Sequence, residues 1–329
     1  MAFAICAGLT LALAGCEERL DAGRNVQEGL LPVDRRSPVI LDNDSWSDNW
    51  AGEVAMLLAN TSEMTLAGII VNASKYWPDF YANFLGWSNL VQAARESGLK
   101  NIPDLTVGAN TTTLLVPPDK KIDSTVPLHT PGAQLIVNLS RELSLPGQPL
   151  LVVTGSQLTN VADAYLIDHS VVDRVIVVAA LGASTEPKAV MTGPNGDLDP
   201  WADWIVAQRF RYVQIAVRYD QTGDVTEEDL DKLPKNKFGD WMVAKQPRLS
   251  ANRAASDQTA VLAVGLPHFA TAVQRSAPDS SAEFNSPPGQ GPPLLPSATG
   301  DAWVVTKVEP SLGRKHMWEM LQNPRLFRM

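Results

Sequence analysis

The sequence predicts an α/β protein with a mostly parallel sheet flanked by helices. Three observations predict it. Short apolar, β-branched runs alternate strictly with segments of helical spacing. Several runs are apolar enough to be strands covered on both faces. Asp42, Thr154 and Gly182 each fall where such a run ends, and parallel sheets bind their ligands at the carboxyl ends of their strands.

The elements follow in order. Residues 38–44 (PVILDND) read as a strand and 49–60 (NWAGEVAMLLAN) as a helix. Residues 64–73 (MTLAGIIVNA) are strand-like, and 79–99 carry an apolar helical stripe with a glycine near the end. A strand at 104–110 and a helix at 132–143 come next, then a buried strand at 149–156 (PLLVVTGS) and a helix at 158–168. A strand at 174–183, a helix at 199–209 and a strand at 212–218 complete the run. Residues 225–237 are charged and read as a solvated helix and turn. Residues 277–300, rich in Pro, Ser and Gly, are expected to form a long loop without regular structure. A strand at 302–310 and a short helix at 315–322 then pack back on the domain.

The chain has 329 residues, 45% of them apolar, which is enough for one large core. A net charge of −9 argues against a nucleic-acid partner, because phosphate binding needs clustered Lys and Arg. The charge fits handling of small neutral or metal-bound ligands. The two cysteines, Cys6 and Cys16, both lie at the N-terminus, so the body holds neither a disulfide framework nor a zinc–thiolate site. Whether the chain forms a homo-oligomer is left open.

Residues 1–16 (MAFAICAGLTLALAGC) form an uncharged Ala/Leu-rich run ending in small residues, the pattern of a secretion signal. Leu13-Ala14-Gly15-Cys16 resembles the lipobox of bacterial lipoproteins. That resemblance implies cleavage before Cys16, lipidation of Cys16 and attachment to the membrane through the lipid alone. The place would be the bacterial cell envelope, at the outer membrane or its periplasmic face. Residues 17–36 would be a polar tether and 37–329 the folded domain.

Asp42, Asn43, Asp44, Asp48 and Asn49 follow the first strand directly. Unpaired carboxylates are costly inside a strand, so these belong at its end. Three of them so close repel one another unless a cation or ordered donors offset the charge. Capping of the next helix explains Asp48 but not all three. Hard cations such as Ca²⁺ take carboxylate, carbonyl and water oxygens, and a neighbouring carboxylate can take a proton from bound water. Asp-x-Asp after a strand also suits a phosphatase with Asp42 as nucleophile, although Trp46 stands where such enzymes carry a Thr or Val.

With these residues in view, the sequence resembles the inosine-uridine-preferring nucleoside hydrolases, whose signature is a strand followed by Asp-x-Asp-x-x-x-Asp-Asp and a helix. Three more segments match in order: Thr154-Gly155 followed by Leu158-Thr159-Asn160, residues 177–183 (VVAALGA), and Asn195 followed by Asp199-Pro200. Residues 256–260 (SDQTA) resemble the site of the last metal-binding Asp. The resemblance runs from about residue 39 to 267 and implies the nucleoside hydrolase fold, a riboside substrate and a Ca²⁺ ion. It implies that Asp44 binds the metal and is the general base on its water. It further implies that the Thr154 carbonyl and Asp257 are ligands, with Asn49 at the position of a second metal-binding Asp. Asp48 and Asn195 would bind the ribose, and Asp42 would support the site through hydrogen bonds. The bond cleaved would be N-glycosidic, through an oxocarbenium-like transition state.

Three positions depart from that family's pattern. Asn49 lacks the carboxylate charge, Gly193 replaces a ribose-binding Glu, and Ser256 replaces a His placed to protonate the leaving base. They favour an alternative, a catalytically weakened or inactive riboside-binding lipoprotein on the same fold. The four histidines, His129, His169, His268 and His316, lack metal-type spacing and read as surface or loop residues. His268 is the best placed of them to act as a substitute acid. Trp46 and Trp77 lie in loops after strands, where they either stack on a ligand or pack.

Overall fold

The computed structural model describes residues 36–47, 49–180, 195–217, 225–248, 256–266, 268–285 and 291–327. The strands are β1 (Pro38–Asn43), β2 (Thr65–Val71), β3 (Leu105–Val107), β4 (Leu150–Thr154), β5 (Val175–Ala179), β6 (Arg211–Ile215), β7 (Ala270–Pro278), β8 (Leu294–Pro296) and β9 (Ala302–Val308). The helices are α1 (Ala51–Asn60), α2 (Phe80–Glu96), α3 (Pro131–Leu143), α4 (Thr159–Ile167), α5 (Pro200–Arg209), α6 (Lys237–Lys245), α7 (Ser256–Gly265) and α8 (Pro310–Leu321).

One nine-stranded sheet runs β3-β2-β1-β4-β5-β6-β9-β7-β8. The pairs from β3 to β9 are parallel, and β7 joins β9 and β8 antiparallel. The chain therefore winds outward in both directions from β1 and β4. Such a reversal opens a crevice at the carboxyl ends of the two central strands, because their crossover helices leave on opposite faces.

Burial on both faces explains the apolar runs. Val39 and Leu41 point into the core layer that holds α1, α2 and α7. Ile40, between them, points into the layer that holds α3, α4 and α5. Local chemistry starts several helices. Asp79 accepts Ala82 N–H at 3.0 Å before α2, Thr130 accepts Ala133 N–H at 3.1 Å before α3, and Asp199 accepts Ala202 N–H at 3.1 Å before α5.

Two expectations need correction. Residues 277–300 are not all loop: Ala277 and Pro278 pair with Leu295 and Leu294 at the sheet edge. From the same stretch Phe284 inserts edge-on against Trp201 and Trp204, with centroids 4.8 and 5.7 Å away. Nor is the charged stretch 225–237 simply solvated. It forms a 3₁₀ turn (Glu227–Lys232) whose Asp229 is buried and bound by Arg314 at 2.7 Å.

Candidate functional site

β1 ends at the switch point, with Asp42 and Thr154 as Cα partners on the same rung. Gly155 continues the ladder, its N–H donating to the Asp42 carbonyl at 2.9 Å. Asp42 is fully buried. Asn72, just past β2, donates to one of its oxygens, and Asn160 in α4 donates to the other at 3.0 Å. Asn160 also bonds the Asn72 carboxamide oxygen at 3.1 Å. Burial pushes the Asp42 carboxyl up to about 7 despite these two donors. Both Asp42 oxygens are thus engaged by amides, and the carboxyl is held rather than presented to solvent.

Asp44 is buried beside it. Its carboxylate accepts Ser45 N–H at 2.6 Å, and its carbonyl accepts the Trp87 indole N–H at 3.2 Å. Burial raises its pKa, opposed by the Ser74 hydroxyl and the Ser45 N–H. Asn43, between the two aspartates, accepts Asp44 N–H at 2.8 Å and donates to Asp257 Oδ2 at 3.2 Å. Asp257, at the start of α7, thus reaches back to β1 across the chain. A Cβ on Gly155 would collide with the Asp257 carboxyl group, so a glycine is needed at the end of β4 for this approach. Gly108 and Gly132 face Asn72 and Asn160 in the same way.

Asp42, Asp44, Thr154 and Asp257 are thus grouped around the carboxyl ends of β1 and β4. Asn49 joins them, but through its nitrogen: Nδ2 donates to Asp257 Oδ2 at 2.7 Å while Oδ1 accepts Ala51 N–H at 2.8 Å. Asn195 lies at the same edge, its amide donating to the carbonyls of Gly155 and Ala180 at 3.1 and 2.7 Å. Asp48, Gly182, Gly193 and Cys16 lie outside the described residues, and α7 begins at Ser256.

The histidines among the described residues have other partners or positions than the cluster. His316 contacts Glu63 at 2.7 Å, His169 stacks on Tyr165, and His129 and His268 occupy positive-φ positions at 57° and 66°. Trp46 packs rather than faces a ligand: its ring lies on Gly86 and 5.0 Å from the Trp241 ring. A groove of about 810 Å³, lined by Leu145, Arg174, Arg209 and Arg211, opens at the amino ends of β4, β5 and β6, away from the carboxylates.

The chain superposes on a plant nucleoside hydrolase with a TM-score of 0.59 and 18% identity, over 88% of this chain and 98% of that one. It superposes on the inosine-uridine preferring nucleoside hydrolase of Bacillus anthracis with a TM-score of 0.55 and 14% identity, over the same shares. For an inosine-guanosine nucleoside hydrolase the TM-score is 0.60 and the identity 17%, over 86% and 99%. The fold is that of the nucleoside hydrolases. No protein-family model matches the sequence, and no curated protein does.

Carboxylate and carbonyl oxygens, such as those of Asp44, Asp257 and Thr154, are of the hard type that calcium takes. The Thr154 carbonyl already accepts Ala180 N–H at 2.8 Å, which leaves it one lone pair. Asn49 does not fit as a ligand in this orientation, since it presents N–H to the cluster. Among the described residues, no group of three or more His, Cys, Asp or Glu side chains is placed to hold a metal.

Sequence reasoning assigned no role to Asn43, Asn72 or Ser74. Asn72 carries a usable signal, being the first polar residue after β2 at the edge where ligands bind. Asn160 stood inside the matched Leu-Thr-Asn segment without a role.

Proposed function

We propose that this chain hydrolyses the N-glycosidic bond of a ribonucleoside or related riboside. The observation that carries the reading is the position of Asp42 beside Thr154 at the switch point of a nucleoside hydrolase fold, with Asp257 reaching back to Asn43 and Gly155. Asp44, Asp257 and the Thr154 carbonyl would hold a calcium ion, which when bound makes a coordinated water more acidic and fixes a sugar diol. Asp44, at the end of β1 and adjoining Asn43, is the group that would accept the water proton. Asp42, clamped by Asn72 and Asn160, fixes the end of β1 and so the direction of Asp44. Asn195 keeps the ends of β4 and β5 together with its amide, leaving its carboxamide oxygen for a sugar hydroxyl. Asp48 is the second group proposed for ribose.

A second reading, a riboside-binding protein without turnover, is favoured by the Asn49 amide on Asp257. Ribose release from inosine, uridine and nicotinamide riboside, with calorimetric binding of each, separates the two. Release that disappears in Asp44→Ala supports hydrolysis. Binding without release supports the second reading, and neither binding nor release sinks both.

We also propose that residues 1–16 are a lipoprotein signal and Cys16 a lipid anchor at the cell envelope. Among the described residues no helix is long and apolar enough to cross a membrane. Palmitate labelling that survives Cys16→Ser would remove the anchor.

A further inference from the structure

Asn49 is bound at both ends of its side chain. Its oxygen takes the Ala51 N–H at the start of α1, and its nitrogen gives to Asp257 at the start of α7. The orientation is fixed: turning the amide over would set oxygen against carboxylate and N–H against N–H. Asn43 is fixed in the same way, between the Asp44 N–H and the same Asp257 oxygen. One residue on, Trp50 N–H donates to the Gln258 side chain at 3.0 Å. The starts of α1 and α7 are thus stitched together by neutral groups, with Asn49 and Asp257 only 3% and 6% exposed.

We propose that Asn49 is a latch doing for Asp257 what a cation would otherwise do, so that the site assembles without calcium and admits it at Asp257 Oδ2 only by breaking the Asn49–Asp257 bond. The inference deepens the site reading above, and it concerns how the site is held rather than what it cleaves. A cation at Asp257 Oδ2 must displace a charge-assisted hydrogen bond, and Asn49, being neutral and turned away, returns little in exchange. The latch therefore sets the calcium response of this chain.

The test compares wild type, Asn49→Ala and Asn49→Asp after chelator treatment. Calcium chloride alone is titrated by calorimetry, and melting is followed with and without about 1 mM calcium, the weak end of protein calcium affinities. Wild-type melting is expected to move by less than about 1 °C between chelator and calcium. Asn49→Ala should melt about 3–6 °C lower in both. Asn49→Asp sets two carboxylates against each other. It should melt lower than wild type in chelator, recover with calcium, and bind the ion at least about tenfold more tightly. Wild type binding calcium as tightly as Asn49→Asp would overturn the latch, as would Asn49→Ala melting with wild type. If Asn49→Asp does not fold in chelator, the calcium response of wild type and the melting of Asn49→Ala still decide. None of these readouts uses ribose release, so a silent nucleoside panel with the expected melting pattern sinks the hydrolase and keeps the latch.

Discussion

Two groups of buried carboxylates flank the start of α1, and they are compensated differently. Behind α1, Glu53 meets a full counter-charge: Lys245 Nζ lies 2.8 and 2.9 Å from its two oxygens, and the Trp241 indole N–H donates at 3.0 Å. The ammonium also sits 4.8 Å from the centre of the Trp50 ring. In front, Asp42 is held by two neutral amides and Asp44 by a hydroxyl and backbone N–H, and both carboxyls are pushed up by burial. A neutral donor offsets part of the desolvation cost but leaves the proton affinity of Asp42 and Asp44 high, whereas Glu53 has a counter-charge in contact. The difference separates structure from chemistry. Glu53 is paired with Lys245 and joins α6 to α1. The front group is left able to exchange a proton, at the switch point where a ligand would arrive.

The largest effect that would test this contrast is on turnover. If Asp44 is the base, Asp44→Asn should lower ribose release by up to about 10⁴-fold, the upper range for general-base loss. Melting should hold or rise, because a buried charge has gone. Glu53→Gln should do the opposite, leaving turnover per folded molecule intact while lowering stability. A turnover loss in Glu53→Gln equal to that in Asp44→Asn would erase the distinction.

Next in size is the ion pair itself. Lys245→Met strands a carboxylate that is wholly out of water and should cost about 3–5 kcal/mol in denaturant unfolding. The double variant Lys245→Met/Glu53→Gln should recover most of that loss, since the penalty belongs to the unpaired charge. A single-variant loss below about 1 kcal/mol would mean that water or another group reaches Glu53.

The contrast also fixes how much was legible in the sequence. The alternation of runs and stripes foretold the parallel strands, and the rule that carboxylates sit at strand ends placed Asp42 and Asp44 at the end of β1; Asp257, at a helix start, was reached only through the family resemblance. The edge pair of β7 and β8 was hidden, because a three-residue strand within Pro-rich chain has no period to detect and its partner is distant in sequence. Asn72 and Asn160 were hidden for another reason. Amides are frequent near strand ends and helix starts, and only the folded chain's hydrogen bonds show these two turned toward Asp42. Asn49 was seen as a lost charge; its role as a donor depends on the Ala51 N–H, which no spacing reveals.

A smaller effect is the pH dependence of the front group. The Asp42 carboxyl is raised from 3.8 to about 7, so between those values the native state keeps a proton that the unfolded chain has released. Its contribution to stability is complete below about pH 4 and is lost as pH rises through about 7, at roughly 1.4 kcal/mol per pH unit. Asp44, shifted the same way, adds to the slope. Unfolding free energies from pH 4 to 8 should fall in wild type and flatten in Asp42→Asn. A wild-type profile that rises with pH over this window would contradict the shift.

The smallest effect probes the seam between the two groups. Trp241 does two jobs, donating to Glu53 and packing its ring against Trp46 in the loop that leads from Asp44 toward α1. Trp241→Phe removes the donor and keeps a ring. Because Lys245 still neutralises Glu53, the loss should be about 1–2 kcal/mol, near the worth of one hydrogen bond to a charged group. Trp241→Ala removes the ring as well and frees Trp46, which rests on Gly86 with no room for a Cβ. The extra loss from Phe to Ala measures the packing, and it should bring a rise in KM that Trp241→Phe lacks, because only the ring bears on the loop behind the site. If the two variants shift KM equally, the indole N–H rather than the ring couples Glu53 to the front carboxylates, and the two groups form one unit.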